Sequence, residues 1–207
     1  MLDTWNNLDA FKEYIRLLDL QHFNYYEILT GVFKEREGIV NAPPPVEIWH
    51  NIGPSLLVID ELRKTLDVPI TINSTYRSPE YNPLLGGARK SQHMGFVAID
   101  INARGVSPTA VADQLIAWQT EGKWIQSPVK LTPVDVEVPA GVIPRENLKT
   151  REVNGQWEFR YKGGVGYYSS FTHMDTRGVT VKWDNRRHDS LNEQRSRSLT
   201  AESVILD

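Results

Sequence analysis

The 207-residue chain contains no cysteine. Disulfides, thiolate metal ligands and a cysteine nucleophile are therefore excluded together, and any metal must be held by His, Asp or Glu. Long hydrophobic runs are missing as well. No window approaches about 18 uninterrupted apolar residues, so no membrane insertion is expected. The N-terminus, MLDTWNNLDAFKEYIRLLDL, carries acidic residues early and lacks a basic start followed by an apolar stretch. It is not a secretory signal, and the chain as given is expected to be made in the cytoplasm. An excess of positive charge is also lacking: the net charge is −3 and the pI about 6.0, which makes nucleic acid a poor partner. There is no G-x-S-x-G elbow, which with the missing cysteine argues against covalent catalysis. What remains is ordinary globular composition, 40% apolar and 24% charged. The length favours one elaborated domain whose core needs no staple.

Spacings of three and four among Leu8, Phe11, Ile15 and Leu18, then Tyr25, Ile28, Leu29 and Val32, predict one or two amphipathic helices before residue 38. The prolines at 43–45 break that pattern and form a stiff connector. A further helical pattern follows in Leu56, Leu57, Ile59, Leu62 and Leu66. Strands are expected at about 69–76 and 96–102, with a long irregular loop from Arg77 to Gly87 between them. Ser107 and Pro108 open another helix as cap and first residue, running to about Trp118. Residues 126–150, with four prolines and no helical period, predict an extended excursion. Asn154-Gly155 marks a tight hairpin. Further strands are expected at 165–168, 171–175 and 179–183, and the fold class is α+β, helices packed on a mainly antiparallel sheet. From residue 184 the chain becomes polar and rich in Arg and Ser, a tail that is poorly ordered or docks elsewhere.

Two segments carry chemistry. In the first, His93 precedes Gly95, and Asp100 falls between Ile99 and Ile101 in an apolar strand. A buried acid is costly unless paired or bound to a metal, so Asp100 is either a ligand or the partner of an arginine or a loop. In the second, His173 and Asp175 share one strand face, about 6.5–7 Å apart. They suit a zinc environment, or a cross-strand pair serving structure alone. Arg77, at the end of a strand and the mouth of the long loop, could grip a carboxylate, steady an oxyanion or anchor the loop by a salt bridge. His22, His50 and His188 lack a comparable setting and are taken as structural or surface residues.

Taken together, these segments resemble the zinc D-Ala-D-Ala carboxypeptidases, a family that includes murein endopeptidases, phage endolysins and the fold of the hedgehog signalling domain. The S-x-H-x-x-G-x-A-x-D signature of that family is met by SQHMGFVAID at 91–100 at Ser91, His93, Ala98 and Asp100, with Phe96 at its glycine position and Gly95 one place before. STYRSPEYN at 74–82 and GGVGYYSSFTHMDTRG at 163–178, with Trp183 beyond, match two further pieces of one branch. The resemblance spans roughly residues 50–183, with 103–162 matching only loosely. It implies a zinc peptidase domain at 46–183, preceded by a helical extension at 1–45 and followed by the tail at 184–207. It implies zinc ligation by His93, Asp100 and His173, and substrate contacts from Arg77, Ser91 and Tyr168. Several members carry an acid three residues before the last histidine as general base. Here that position is Ser170, which leaves Asp175 as the candidate base or as a supporting partner of His173. The implied substrate is the peptidoglycan peptide stem, met at the cell wall or from a virion or lysis system. The alternative is a catalytically silent zinc module for binding or virion assembly, docked through residues 1–45 or 184–207.

Overall fold

The computed structural model describes residues 5–131 and 148–186. Helix α1 (Leu8–Leu17) forms where the three-four spacing predicts it and turns Leu8, Phe11 and Ile15 inward. Helix α2 (Tyr25–Ile28) is a single turn, opened by a capping box in which Asn24 and Glu27 satisfy each other's backbone N–H groups. The rest of the expected second helix, as far as Val32, is instead a run of turns in which Gly31 takes a φ of 94°, and a small hairpin follows, β1 (Glu35–Arg36) and β2 (Ile39–Val40), turned by Gly38 in the left-handed region. After the prolines comes a 3-10 turn (Val46–Asn51) and then α3 (Gly53–Leu66). Leu56, Val58, Ile59 and Leu62 are wholly buried, and Asp67 ends the helix at a φ of 52°.

Strands β3 (Ile70–Ser74) and β4 (Ala98–Ala103) pair antiparallel, and α4 (Pro108–Glu121) follows. Ser107 caps α4 through its hydroxyl, as expected, and Gly122 closes it in the left-handed region, one turn beyond Trp118. The remaining strands are β5 (Trp124–Ser127), β6 (Thr150–Val153), β7 (Gln156–Arg160), β8 (Gly164–Tyr167), β9 (Thr172–Asp175) and β10 (Val181–Asp184). They form two sheets, β10-β8-β9-β4-β3 and β5-β7-β6. Every pair is antiparallel except β10 with β8, which runs parallel. The fold is thus α+β as the sequence predicts, with one parallel edge that it did not reveal. The Asn154-Gly155 turn joins β6 to β7 with both residues at positive φ, 52° and 77°, as a tight hairpin requires.

The expected excursion at 126–150 begins and ends in strands, since β5 includes Gln126 and Ser127 and β6 starts at Thr150; residues 132–147 lie outside the described residues. The expected tail starts later than residue 184. Asp184 completes β10, and the Asn185 N–H donates to the Tyr167 carbonyl. One core unites Phe11, Ile28, Ile48, Ile59, Ile99, Val165 and Met174. It runs without a break across residue 45, so α1 and α2 are built into the same packed unit as the sheet. No described helix is long and apolar enough to cross a membrane.

Alternation along β4 and β9 divides the large sheet into two faces. Ile99, Ile101 and Met174 enter the core. Asp100 and His173, directly opposite each other, turn to the other face.

Candidate metal centre

Asp100 reaches this face from the middle of β4, and His173 from β9 beside it. His93 comes from the loop before β4. That loop is wound tightly: Met94 N–H donates to the Ser91 carbonyl at 3.1 Å, and the Arg77 and Phe96 N–H groups both donate to the His93 carbonyl. Asn51 braces it by donating to the Gly95 carbonyl at 2.9 Å. Phe96 takes a left-handed φ of 54° while burying its ring completely. A register shift in β3 between Ile72 and Ser74 sets Ser74 opposite Asp100 and delivers the next residues to the site.

The three predicted ligands converge. One ligand atom from each of His93, Asp100 and His173 lies within 4.8 Å of the others, and all three residues are buried. Each ring is held from behind. The Thr75 carbonyl stands 2.6 Å from His93 Nδ1, and Asp175 Oδ2 stands 3.2 Å from His173 Nε2. Both oxygens can only accept, so the outer nitrogen of each ring carries the proton. The inner atoms, His93 Nε2 and His173 Nδ1, then face Asp100 Oδ1 at 3.2 Å and 2.9 Å, the first with a lone pair and the second with a proton that a metal would displace. Such a cluster needs either a shared proton or a cation at its centre. Two neutral imidazoles and one carboxylate on preset rotamers are a donor set that suits zinc.

The charges differ from ring to ring. Burial pushes His93 below the usual histidine range, although Asp100 pulls the other way. Burial also acts against His173⁺, but Asp100 and Asp175 outweigh it and raise that imidazole to about 9. Both carboxylates stay well below their usual range despite burial: Asp100 through His93 and His173, Asp175 through His173 and Arg177.

Arg77 is present, but it grips a ligand. Its Nη2 donates to Asp100 Oδ2 at 2.6 Å and its Nε to Ser74 Oγ at 3.2 Å. The salt-bridge alternative for Arg77 and the arginine-partner alternative for Asp100 are thus one contact, and it leaves Asp100 Oδ1 for the metal.

Asp175 does not stand open to solvent as a base beside the metal would. It is wholly buried, and its oxygens accept from Gly164 N–H at 2.9 Å, from the Arg177 fork at 2.9 and 2.6 Å, from Arg177 N–H and from His173. Gly164 is needed for this: a Cβ there would sit 2.5 Å from Asp175 Oδ2. Ser91 is buried and closes the His93 turn through its backbone. Tyr168 is half-buried and stacks on Phe171 with ring centroids 4.2 Å apart. The expected substrate residues therefore divide, Ser91 and Arg77 toward the ligands and Tyr168 toward the rim.

Sequence reasoning gave no role to three contributors. The Thr75 carbonyl is backbone and leaves no mark in the sequence. Arg177, two residues after Asp175, could have been paired with it from the H-x-D-x-R spacing alone. Trp183 packs its ring against His173, centroids 5.1 Å apart, and lies over Gly164 and Gly166. A Cβ on Gly166 would come within 2.6 Å of the indole, so those glycines are its seat.

Comparison with known families agrees with this geometry. The family model described as Peptidase M15 matches residues 21–135, more than half of the chain. The chain belongs to that family, the zinc-dependent D-Ala-D-Ala carboxypeptidases. The match includes His93 and Asp100 and ends before His173. Searches of curated proteins and of solved structures return no match.

Proposed function

We propose that this peptidase acts on peptidoglycan peptide stems, trimming a terminal D-residue or cutting a cross-link, with zinc held by His93, Asp100 and His173. The observation that carries the reading is the convergence of one ligand atom from each of three residues, with the outer nitrogen of both rings already committed. Zinc bound there would supply Lewis-acid polarisation of the scissile carbonyl and activation of water for attack. The chain's own residues prepare for it. Thr75 and Asp175 fix the two ring tautomers and orientations. Arg77 holds the outer oxygen of Asp100 and keeps that ligand ionised at its inner oxygen. Asp175 acts through His173, as a positioning residue, since every oxygen it has is engaged. The stem substrate is what the family resemblance supports, and it sets the place of action at the cell wall, reached from the cell or as part of a virion or lysis system.

The silent zinc module for binding or virion assembly remains the second reading, favoured by one observation. Ser170 stands where relatives carry an acid, and Asp175 is saturated. Digestion of purified peptidoglycan, with and without chelator, followed by mass analysis of the fragments, separates the two. Chelator-sensitive release of D-Ala or of uncrosslinked stems is the expected result. A zinc-loaded protein inert on every peptidoglycan chemotype puts the module reading first.

A further inference from the structure

We infer that the Tyr168 hydroxyl is a preset hydrogen-bond donor to a substrate oxygen beside the metal, with its proton aimed by strand β10. The inference rests on the peptidase reading. Gly166 pairs with His173 on one side and with Trp183 on the other, so those three residues share the metal face of the sheet. Tyr168 and Phe171 stand just beyond the ends of β8 and β9, and Trp183, whose ring packs against His173, reaches the Tyr168 hydroxyl with its Nε1, which ties that residue to the same side. The stacked rings of Tyr168 and Phe171 thus form a wall next to the last ligand.

The hydroxyl oxygen has two lone pairs and one proton. Trp183 Nε1–H donates to it at 3.3 Å and Asn185 Nδ2–H at 3.2 Å. Indole can only donate, and both acceptor positions are filled. The phenolic proton must therefore point away from β10, and among the described residues it meets no acceptor. An O–H with both lone pairs engaged is also the stronger donor, because the two incoming bonds polarise it.

Arg77 and Arg177 each already hold a carboxylate, Asp100 and Asp175. A neutral O–H aimed at a carbonyl that becomes an oxyanion adds a donor beside them, and a donor of that kind acts mainly on the rate. The ligand class is an acyl oxygen: a peptide carbonyl, a carboxylate or a hydroxamate.

Tyr168→Phe removes the proton and keeps the ring stack. Two readouts are compared in wild type and variant: kcat/KM on muropeptides ending in D-Ala-D-Ala with zinc loaded, and acetohydroxamate affinity of the cobalt-substituted protein by visible absorption. Tyr168→Phe is expected to lower kcat/KM by roughly 10–100-fold. It should weaken acetohydroxamate by on the order of tenfold, with metal content unchanged. Asn185→Leu, which frees one lone pair and lets the proton turn inward, should give a smaller loss in the same direction. Values within twofold of wild type in both assays for Tyr168→Phe overturn the inference. If wild type is inert on all muropeptides while acetohydroxamate binding still falls in the variant, the peptidase reading fails and the donor assignment stands.

Discussion

The two histidines of the metal centre are supported in opposite ways. His93 leans on a neutral backbone carbonyl, that of Thr75, inside a wound loop. His173 leans on a carboxylate, Asp175, itself locked by the Arg177 fork and the Gly164 N–H. Both supports fix a tautomer, but only the second adds charge. The consequence is opposite shifts, His93 lowered by burial and His173 raised to about 9 by Asp100 and Asp175 against burial. One ring arrives at the site neutral, while the other must give up a proton to bind metal. The charged support also makes the second ring the more basic ligand once that proton has gone.

Removing the charged support should have the largest effect. Asp175→Asn cancels the carboxylate behind His173 and leaves Arg177 without its partner. Zinc affinity is expected to fall about 10–100-fold, the range for loss of a hydrogen-bond partner behind a metal-bound histidine. Peptidase rate should fall with it and recover in part at high zinc. Competition with a chromophoric chelator measures the first effect, and turnover at saturating metal the second. If affinity holds while turnover vanishes at every zinc concentration, Asp175 is a base after all, and its saturated contacts must open during the reaction.

The next effect in size is on pH dependence, where the two histidines differ in sign. In the metal-free protein, His173 is raised above its unfolded value. Its contribution to stability is present in full below about 6.5 and is lost as pH rises through about 9. His93 is lowered, so its contribution is present above the unfolded value and is lost as pH falls. Metal must displace the His173 proton, so apparent zinc affinity should rise about tenfold per pH unit up to about pH 9. Chelator competition at three pH values gives the slope, and a flat profile would mean that His173 is already neutral. Melting the chelated protein across the same range should show a falling Tm that the zinc-loaded protein does not share.

The asymmetry also explains what was legible. His93, Asp100 and His173 stood out in the sequence because a charged or polar residue in an apolar strand, or at a set spacing from a glycine, breaks a pattern. The helix start at Ser107-Pro108 and the turn at Asn154-Gly155 were legible for a related reason, since their chemistry is local. The parallel pairing of β10 was hidden because period-two alternation says nothing about strand direction. The truncation of α2 was hidden by apolar spacing that continues to Val32 past the end of the helical turn. Asp175 was seen as either a base or a supporting partner of His173, and its contacts with Gly164, Arg177 and His173 were not legible. Sequence shows which residues share a face; it does not show that Arg177 folds back on its neighbour's carboxylate. The Thr75 carbonyl belongs to no side chain and could not be found from residue types at all.

That last point yields the smallest expected effect, and the sharpest contrast with Asp175. The wholly buried Thr75 side chain donates to the Ile28 carbonyl at 2.6 Å, while the Thr75 carbonyl serves His93. Thr75→Val keeps the shape and the carbonyl but deprives the Ile28 oxygen of its donor. A buried acceptor left unsatisfied costs about 1–3 kcal/mol, so the variant should unfold at lower denaturant with an unchanged m-value. Zinc affinity should stay within twofold of wild type, because the atom that fixes the His93 tautomer is untouched. Denaturant melts and chelator competition on one preparation report both quantities. A tenfold loss of zinc affinity in Thr75→Val would mean that the hydroxyl tether to α2 holds the carbonyl in place. The neutral support would then depend on a side chain as much as the charged one does, and the contrast between the two histidines would reduce to charge alone.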